Sequence, residues 1–411
     1  MAVERRTELD ALRALVVIGL VFFHSALVFD TETDFYIKNA RTTGATRIGA
    51  GFGVVWAMPM LFLAAGLGAW YSLRGRGAGG FVRERLLRLG VPLLFAELTI
   101  LPVPQWLRAR SHDPGYDTSY LDFLARFYDV RTEWGKFPFV VQGEHFETGH
   151  LWFVLLLLTF SLMLAPLVGL LPRERCRAPV ERLAALTARR RCAVLLPALA
   201  FAAMSALLGL EESYAGWHHW TYLLFFLCGF LLASDVRFRD AMRRDAWYAA
   251  VLGLALFAAT LPGFTGADDP LTDMTPLAVS CRTVYGAAGW CWLVAILGLL
   301  DRRGRRAPGE TEARPGRARR LYAYLGPAVL PLYVLHQPVV VAVAFGVVGW
   351  DAPTLVKYGT IVTASLLLTV AAYDLLVRRT RVTRFLFGMR RAPGPEAPSP
   401  QRSMTESARS S

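Results

Sequence analysis

The sequence predicts an all-α fold, a polytopic membrane helix bundle of about ten transmembrane helices with both termini cytoplasmic. Three observations carry that expectation. Hydrophobic residues make up 54% of the 411 positions and the mean hydropathy is +0.37, which argues against two or three soluble domains. The apolar residues are gathered into runs near the roughly 20 residues that a helix needs to cross about 30 Å of hydrocarbon. The basic residues fall between alternate runs, as expected when positive loops stay on the cytoplasmic side.

The runs extend over 11–29, 49–71, 86–108, 149–171, 193–210, 219–234, 246–262, 277–300, 326–348 and 354–377, the sixth and seventh being the shortest. Backbone amides in lipid must be paired within the segment, so runs of this length read as helices rather than strands. The first follows Met1-Ala-Val-Glu-Arg-Arg with no small-residue cleavage motif after it, and is expected to remain as the first helix.

Charge supports the same order. The segment from Ser72 to Arg85 holds four Arg and one Glu, that from Pro172 to Cys192 seven Arg and two Glu, and that from Asp301 to Arg320 eight Arg against one Asp and two Glu. Glu211, Glu212, Asp268, Asp269 and Asp273 lie instead in segments without Arg or Lys. Because the arginines of this +13 chain sit in short loops rather than on one soluble face, no nucleic-acid partner is expected. The non-basic connection 109–149, with Trp134, Phe137, Phe139 and Phe146, is expected to face outward. A transmembrane domain over 1–385 is followed by a Pro-, Ser- and Arg-rich tail, 386–411, expected to be disordered. The five cysteines lack metal-like spacing and read as free.

Ionisable residues inside membrane helices are costly and mark functional candidates unless they have structural partners. Arg13 and His24 are eleven residues apart on the first run, about three turns and roughly 16 Å, hence nearly on one face. Asp10 is spaced to orient the Arg13 guanidinium. These residues read either as an anchor and an interhelical hydrogen bond, or as a polar face for chemistry. His336 lies mid-helix and His150 opens the fourth run. Neutral imidazole can take a proton from a hydroxyl near pH 7, so the histidines suit general-base work. Their spacing gives no metal signature, and no metal is expected. Glu97 is a further buried charge, placed to pair with a His or Arg or to bind a hydroxyl. Arg74, Arg76, Arg83, Arg85 and Arg88 are either a topology signal or a dock for a phosphate-bearing donor, with Gly75, Gly77, Gly79 and Gly80 allowing close approach.

Five motifs in order resemble the acyltransferase-3 family of membrane acyltransferases: Glu8-Leu-Asp-Ala-Leu-Arg13 followed by His24, Met58-Pro-Met-Leu-Phe-Leu-Ala-Ala-Gly66, Arg85-Leu-Leu-Arg88-Leu-Gly-Val-Pro92, Gly149-His-Leu-Trp-Phe-Val and Leu332-Tyr-Val-Leu-His-Gln-Pro338. The second and fourth are also similar to the branch that modifies periplasmic glucans, including succinyl transfer. The resemblance implies ten core helices in the plasma membrane and transfer of an acetyl- or succinyl-type group from a cytoplasmic acyl-CoA to a hydroxyl of a carbohydrate or other small acceptor. No bound cofactor is implied. Carried over by motif, His24 takes the catalytic position with Arg13 as partner, and Arg85 and Arg88 match the basic motif. Arg74 joins them at the donor; His336 joins the catalytic group; Glu97, His150, Trp152 and Asp10 are acceptor or supporting residues. The rival readings are a transporter or flippase, since central charges also suit a permeation path, and a non-catalytic scaffold whose histidines bridge helices.

Overall fold

A computed structural model describes residues 7–389 except 45, 114, 171, 172 and 307–316; the side chains of 7, 8, 10, 46–50, 173–176, 303–306 and 317–323 also lie outside the description. The expected tail therefore falls almost wholly outside the described residues, as does the side chain of Asp10.

The chain is helical, and each of the ten apolar runs coincides with helix. In order these are α1 (Thr7–Leu27), α2 (Thr46–Arg85), a π-helical turn (Leu86–Gly90), α3 (Val91–Thr99), α4 (Pro102–His112), α5 (Tyr120–Phe127), α6 (Trp152–Leu170), α7 (Arg173–Arg189), α8 (Pro197–Leu208), α9 (His219–Leu232) and α10 (Val236–Ala259). There follow α11 (Leu261–Gly266), α12 (Pro276–Arg306), α13 (Arg317–Val347), α14 (Thr354–Ala372), a second π turn (Tyr373–Val377) and α15 (Arg381–Leu386). Among the described residues the strands are one hairpin, β1 (Val130–Thr132) antiparallel to β2 (Val141–Gly143). Among the described residues, six stretches are long and apolar enough to cross a membrane: Gly51–His112, Gly149–Leu170, Val236–Gly266, Pro276–Arg302, Tyr324–Val347 and Thr354–Val377. Ala11–Leu27 and Ala193–Leu208 are shorter apolar helices.

Two basic segments that read as loops are helical. The glycine-rich stretch continues α2 and is interrupted at Gly77, whose φ of 68° a side chain would resist. The arginine-rich segment after α6 forms α7. Helical hydrogen bonding has outweighed the propensity cost of about 1 kcal/mol per glycine. α10 begins ten residues before the apolar run it carries, because the Asp235 side chain caps its first turn at the Arg237 amide.

α2 sits at the centre, packed on α9, α6, α12 and α1, while α12 packs on α10 and α8 and α13 on α1, α14 and α4. The α2–α9 crossing is close because of two glycines. A Cβ on Gly66 would collide with the Phe226 carbonyl, and one on Gly229 with the Leu63 carbonyl. Small residues that let backbones approach are what join helices where lipid removes the hydrophobic drive. The remaining core divides in two, a large cluster around α2 and α6 and a smaller one built from Val21, Phe29, Phe35, Val340 and Ile361. His24 lies at the second cluster, stacked on Phe35 with ring centroids 5.9 Å apart.

Candidate active site

Three histidines from distant parts of the chain meet between α1, α13 and the start of α6. The His24 and His336 rings are 5.2 Å apart and the His336 and His150 rings 5.1 Å apart. His336 is fully buried and His150 nearly so.

The sequence of α13 explains how two of these rings are fixed. Pro338 has no amide hydrogen, so the carbonyl four residues earlier, at Val334, lacks its helical donor. His150 fills that vacancy, its Nε2 lying 3.0 Å from the Val334 oxygen. The Tyr333 hydroxyl donates to the His150 carbonyl, so α13 grips the chain where α6 begins. His336 Nδ1 lies 2.5 Å from the Tyr333 carbonyl. A ring nitrogen facing a carbonyl must carry the proton, which leaves His150 Nδ1 and His336 Nε2 as the lone-pair nitrogens. His336 Nε2 and His24 Nδ1 are both buried without a hydrogen-bond partner. Such atoms are costly and call for an explanation. As a lone-pair nitrogen, His336 Nε2 can accept a hydrogen bond from a hydroxyl.

Beside the histidines stands a carboxylate group that sequence reasoning did not assemble. The Tyr36 hydroxyl donates to Glu147, and Gly149, at φ 45°, leaves room for it, since a Cβ there would lie 2.9 Å from the Tyr36 oxygen. Glu97 is buried with both carboxylate oxygens unpartnered, and Glu147 is its electrostatic neighbour. Among the described residues it thus pairs with no histidine or arginine. Gln337 Oε1, next to His336, is a further buried orphan. Tyr333 was legible in principle, three residues before His336 on the same helix; Tyr36 and Glu147, 111 residues apart, carried no joint signal.

The other candidates are placed apart. Arg13 donates to the Ala64 carbonyl at 2.5 Å and lies beside Gly68, bracing α1 on α2 rather than touching His24. Trp152 is buried against Phe62 and Tyr214. Arg74 lies over the Trp70 ring at 5.1 Å and Arg85 over Phe81 at 4.9 Å. Arg88 is 3.5 Å from Glu84 and donates to the Gly388 carbonyl at 3.4 Å. Glu84 also takes Arg76 at 3.4 Å and a hydrogen bond from Ser72 at 2.6 Å. The basic group therefore gathers round the Gly77 break and the first π turn, a distortion frequent at functional sites.

A family model described as an acyltransferase domain matches residues 6–374. No curated protein matches the chain at a significant level, and no solved structure does.

Proposed function

The chain belongs to the acyltransferase-3 family, and from that premise we propose that it is a plasma-membrane O-acyltransferase. It moves an acetyl- or succinyl-type group from acyl-CoA to a hydroxyl of a carbohydrate or other small acceptor. The observation that carries this reading is the presence of a buried, unpartnered ring nitrogen on each of the neighbouring rings of His24 and His336. A general base needs a lone pair within reach of the proton that it removes, and a scaffold histidine would have spent it on a neighbouring helix.

The reading takes about ten membrane crossings with both termini cytoplasmic, supported by the alternating charge of the connections. The arginines around the Gly77 break then face the cytoplasm, where Arg74, Arg85 and Arg88 receive the donor's phosphates. Arg13 braces the same end of α1, and the thioester reaches along that helix to His24. In direct transfer, His24 takes the acceptor's hydroxyl proton, the oxygen bonds to the thioester carbon, the C–S bond breaks, and the imidazolium returns the proton to the thiolate. In stepwise transfer, the lone-pair nitrogen of His24 bonds to the acyl carbon as the C–S bond breaks, and the proton of the other ring nitrogen leaves with the thiolate. The acceptor oxygen then displaces the imidazole and gives it back a proton. His336, with Nε2 free to accept, suits receiving a proton from His24 or from the acceptor, whereas oxyanion stabilisation would require a donor there.

The test supplies membranes containing the chain with labelled acetyl-CoA and succinyl-CoA and weighs the extractable glycans. A mass gain of one acyl group that depends on the chain supports the reading. Glycan crossing the membrane at unchanged mass would replace it with the transporter. Free CoA released in a burst of about one per chain before any acceptor is added selects the stepwise route, and release that waits for acceptor the direct one.

A further inference from the structure

A second histidine group lies at the non-basic turn between α8 and α9. His218 Nε2 is 3.5 Å from Glu211 Oε1, and His219 Nδ1 is 3.0 Å from Glu211 Oε2. One nitrogen or oxygen from each of the three residues falls within 4.8 Å of the others. We propose that Glu211, His218 and His219 form a site for a divalent transition ion of the zinc class.

The backbone is folded to bring these donors together. Amides of Tyr214 and Gly216 return to the Glu211 carbonyl at 3.1 and 3.0 Å. Ala215 and Gly216 take left-handed conformations, at φ 54° and 69°, and the reversal carries Glu211 back over the first turn of α9. One donor atom from each residue lies within 4.8 Å of the others, so small side-chain rotations bring them to the roughly 3.4 Å edge of a tetrahedron whose metal bonds are about 2.1 Å long. Two imidazoles and one carboxylate leave a fourth position for water. They favour zinc over calcium or magnesium, which take oxygen donors. All three side chains are partly exposed, 30% for Glu211, 15% for His218 and 17% for His219, so an ion can reach them.

Without metal, His219 Nδ1 donates to Glu211, while His218 Nε2 stands 3.5 Å from the other carboxylate oxygen. His218 Nδ1 accepts a 3.3 Å bond from the Trp220 amide, which places the neutral ring's proton on Nε2. Metal binding moves each ring's proton to its other nitrogen, so none is lost, and gives up that long cap bond. The surroundings give the ion a structural purpose. Tyr214 stacks on Phe139 at 4.8 Å and meets Trp152 edge-on at 5.6 Å. An ion here therefore pins the mouth of α9 against the segment that holds His150.

The full chain, purified in detergent and stripped with chelator, is loaded with zinc, desalted, and assayed by elemental analysis, with cobalt absorption as an independent reading. The site predicts about one zinc per chain and a tetrahedral cobalt spectrum in the wild type, unchanged in His24→Ala. It predicts loss of both in Glu211→Gln and in His218→Asn/His219→Asn, and a zinc-dependent rise in melting temperature confined to chains that keep the site. Absence of retained zinc in the wild type overturns the proposal without recourse to any variant. So does equal zinc in a variant that elutes and melts like the stripped wild type.

Discussion

The two histidine groups differ in what their ring nitrogens face. At the α8–α9 turn, His218 and His219 converge on one carboxylate, in a corner where solvent still reaches every member. At the meeting of α1, α13 and α6, the rings converge on one another, their nitrogens spent on backbone carbonyls or unpartnered, and the carboxylate oxygens of Glu97, the electrostatic neighbour of Glu147, have no hydrogen-bond partner. A satisfied group can hold a structure or an ion. An unsatisfied one is complete only with something bound. The difference separates a brace from a reactive centre even though both are built from the same residue type.

Substitution should separate them most sharply in activity. His24→Ala should lower acyl transfer by about 10²–10⁴-fold, the usual worth of a positioned acid or base, while Glu211→Gln changes turnover far less; initial rates on equally abundant protein decide it. His336→Phe should retain the fold and lose about 10²-fold for the same reason. If His336→Phe matched the wild type, the lone pair on its Nε2 would have no part in transfer.

A third substitution tests whether the scaffold between the two groups is as rigid as its contacts imply. Gly229→Ala forces a Cβ against the Leu63 carbonyl across the α2–α9 crossing, and overpacking of this kind costs about 1–3 kcal/mol. Gly51→Ala, where nothing lies within 4 Å of the added carbon, is the control. Thermal unfolding in detergent should show a marked fall for the first and little for the second.

Smaller still is the expected response to acid at the α8–α9 turn. Burial lowers the His218 pKa below its ordinary value, with His219 adding to the effect and Glu211 opposing it. The Glu211 carboxyl is also lowered, because the His219 hydrogen bond and the two rings together outweigh the burial that opposes ionisation. A histidine held below its unfolded pKa weakens the fold as pH falls through about 6.5. A carboxylate held low contributes stability that is present above its unfolded pKa and lost as pH falls through its folded one. Both signs agree, so melting temperature should decline on acidification in the wild type and less steeply in His218→Asn/Glu211→Gln. Parallel curves would mean that the corner is not a pH-sensitive contact.

Much of the fold was legible because membrane helices announce themselves by length and charge, and the apolar runs mark where helix formed. What hid was local. Gly75, Gly79 and Gly80 pointed to a loop, yet the helix ran through them and broke only at Gly77. Within the site, His24, His150 and His336 could be named singly, since a buried ionisable group is conspicuous in an apolar run. Their meeting could not be read. It depends on a carbonyl freed by Pro338 and taken by a residue 184 positions away. The Glu211 group escaped notice because its two histidines follow the carboxylate at no metal-like spacing, and only the reversal at Ala215 and Gly216 closes it.

The most direct test of acyl transfer at the histidine centre compares the wild type with His24→Ala in membranes given labelled acetyl-CoA and succinyl-CoA, reading label in glycan by mass spectrometry. The account predicts label in the wild type and its loss in an equally abundant variant; equal label in both would remove His24 from the chemistry and contradict it.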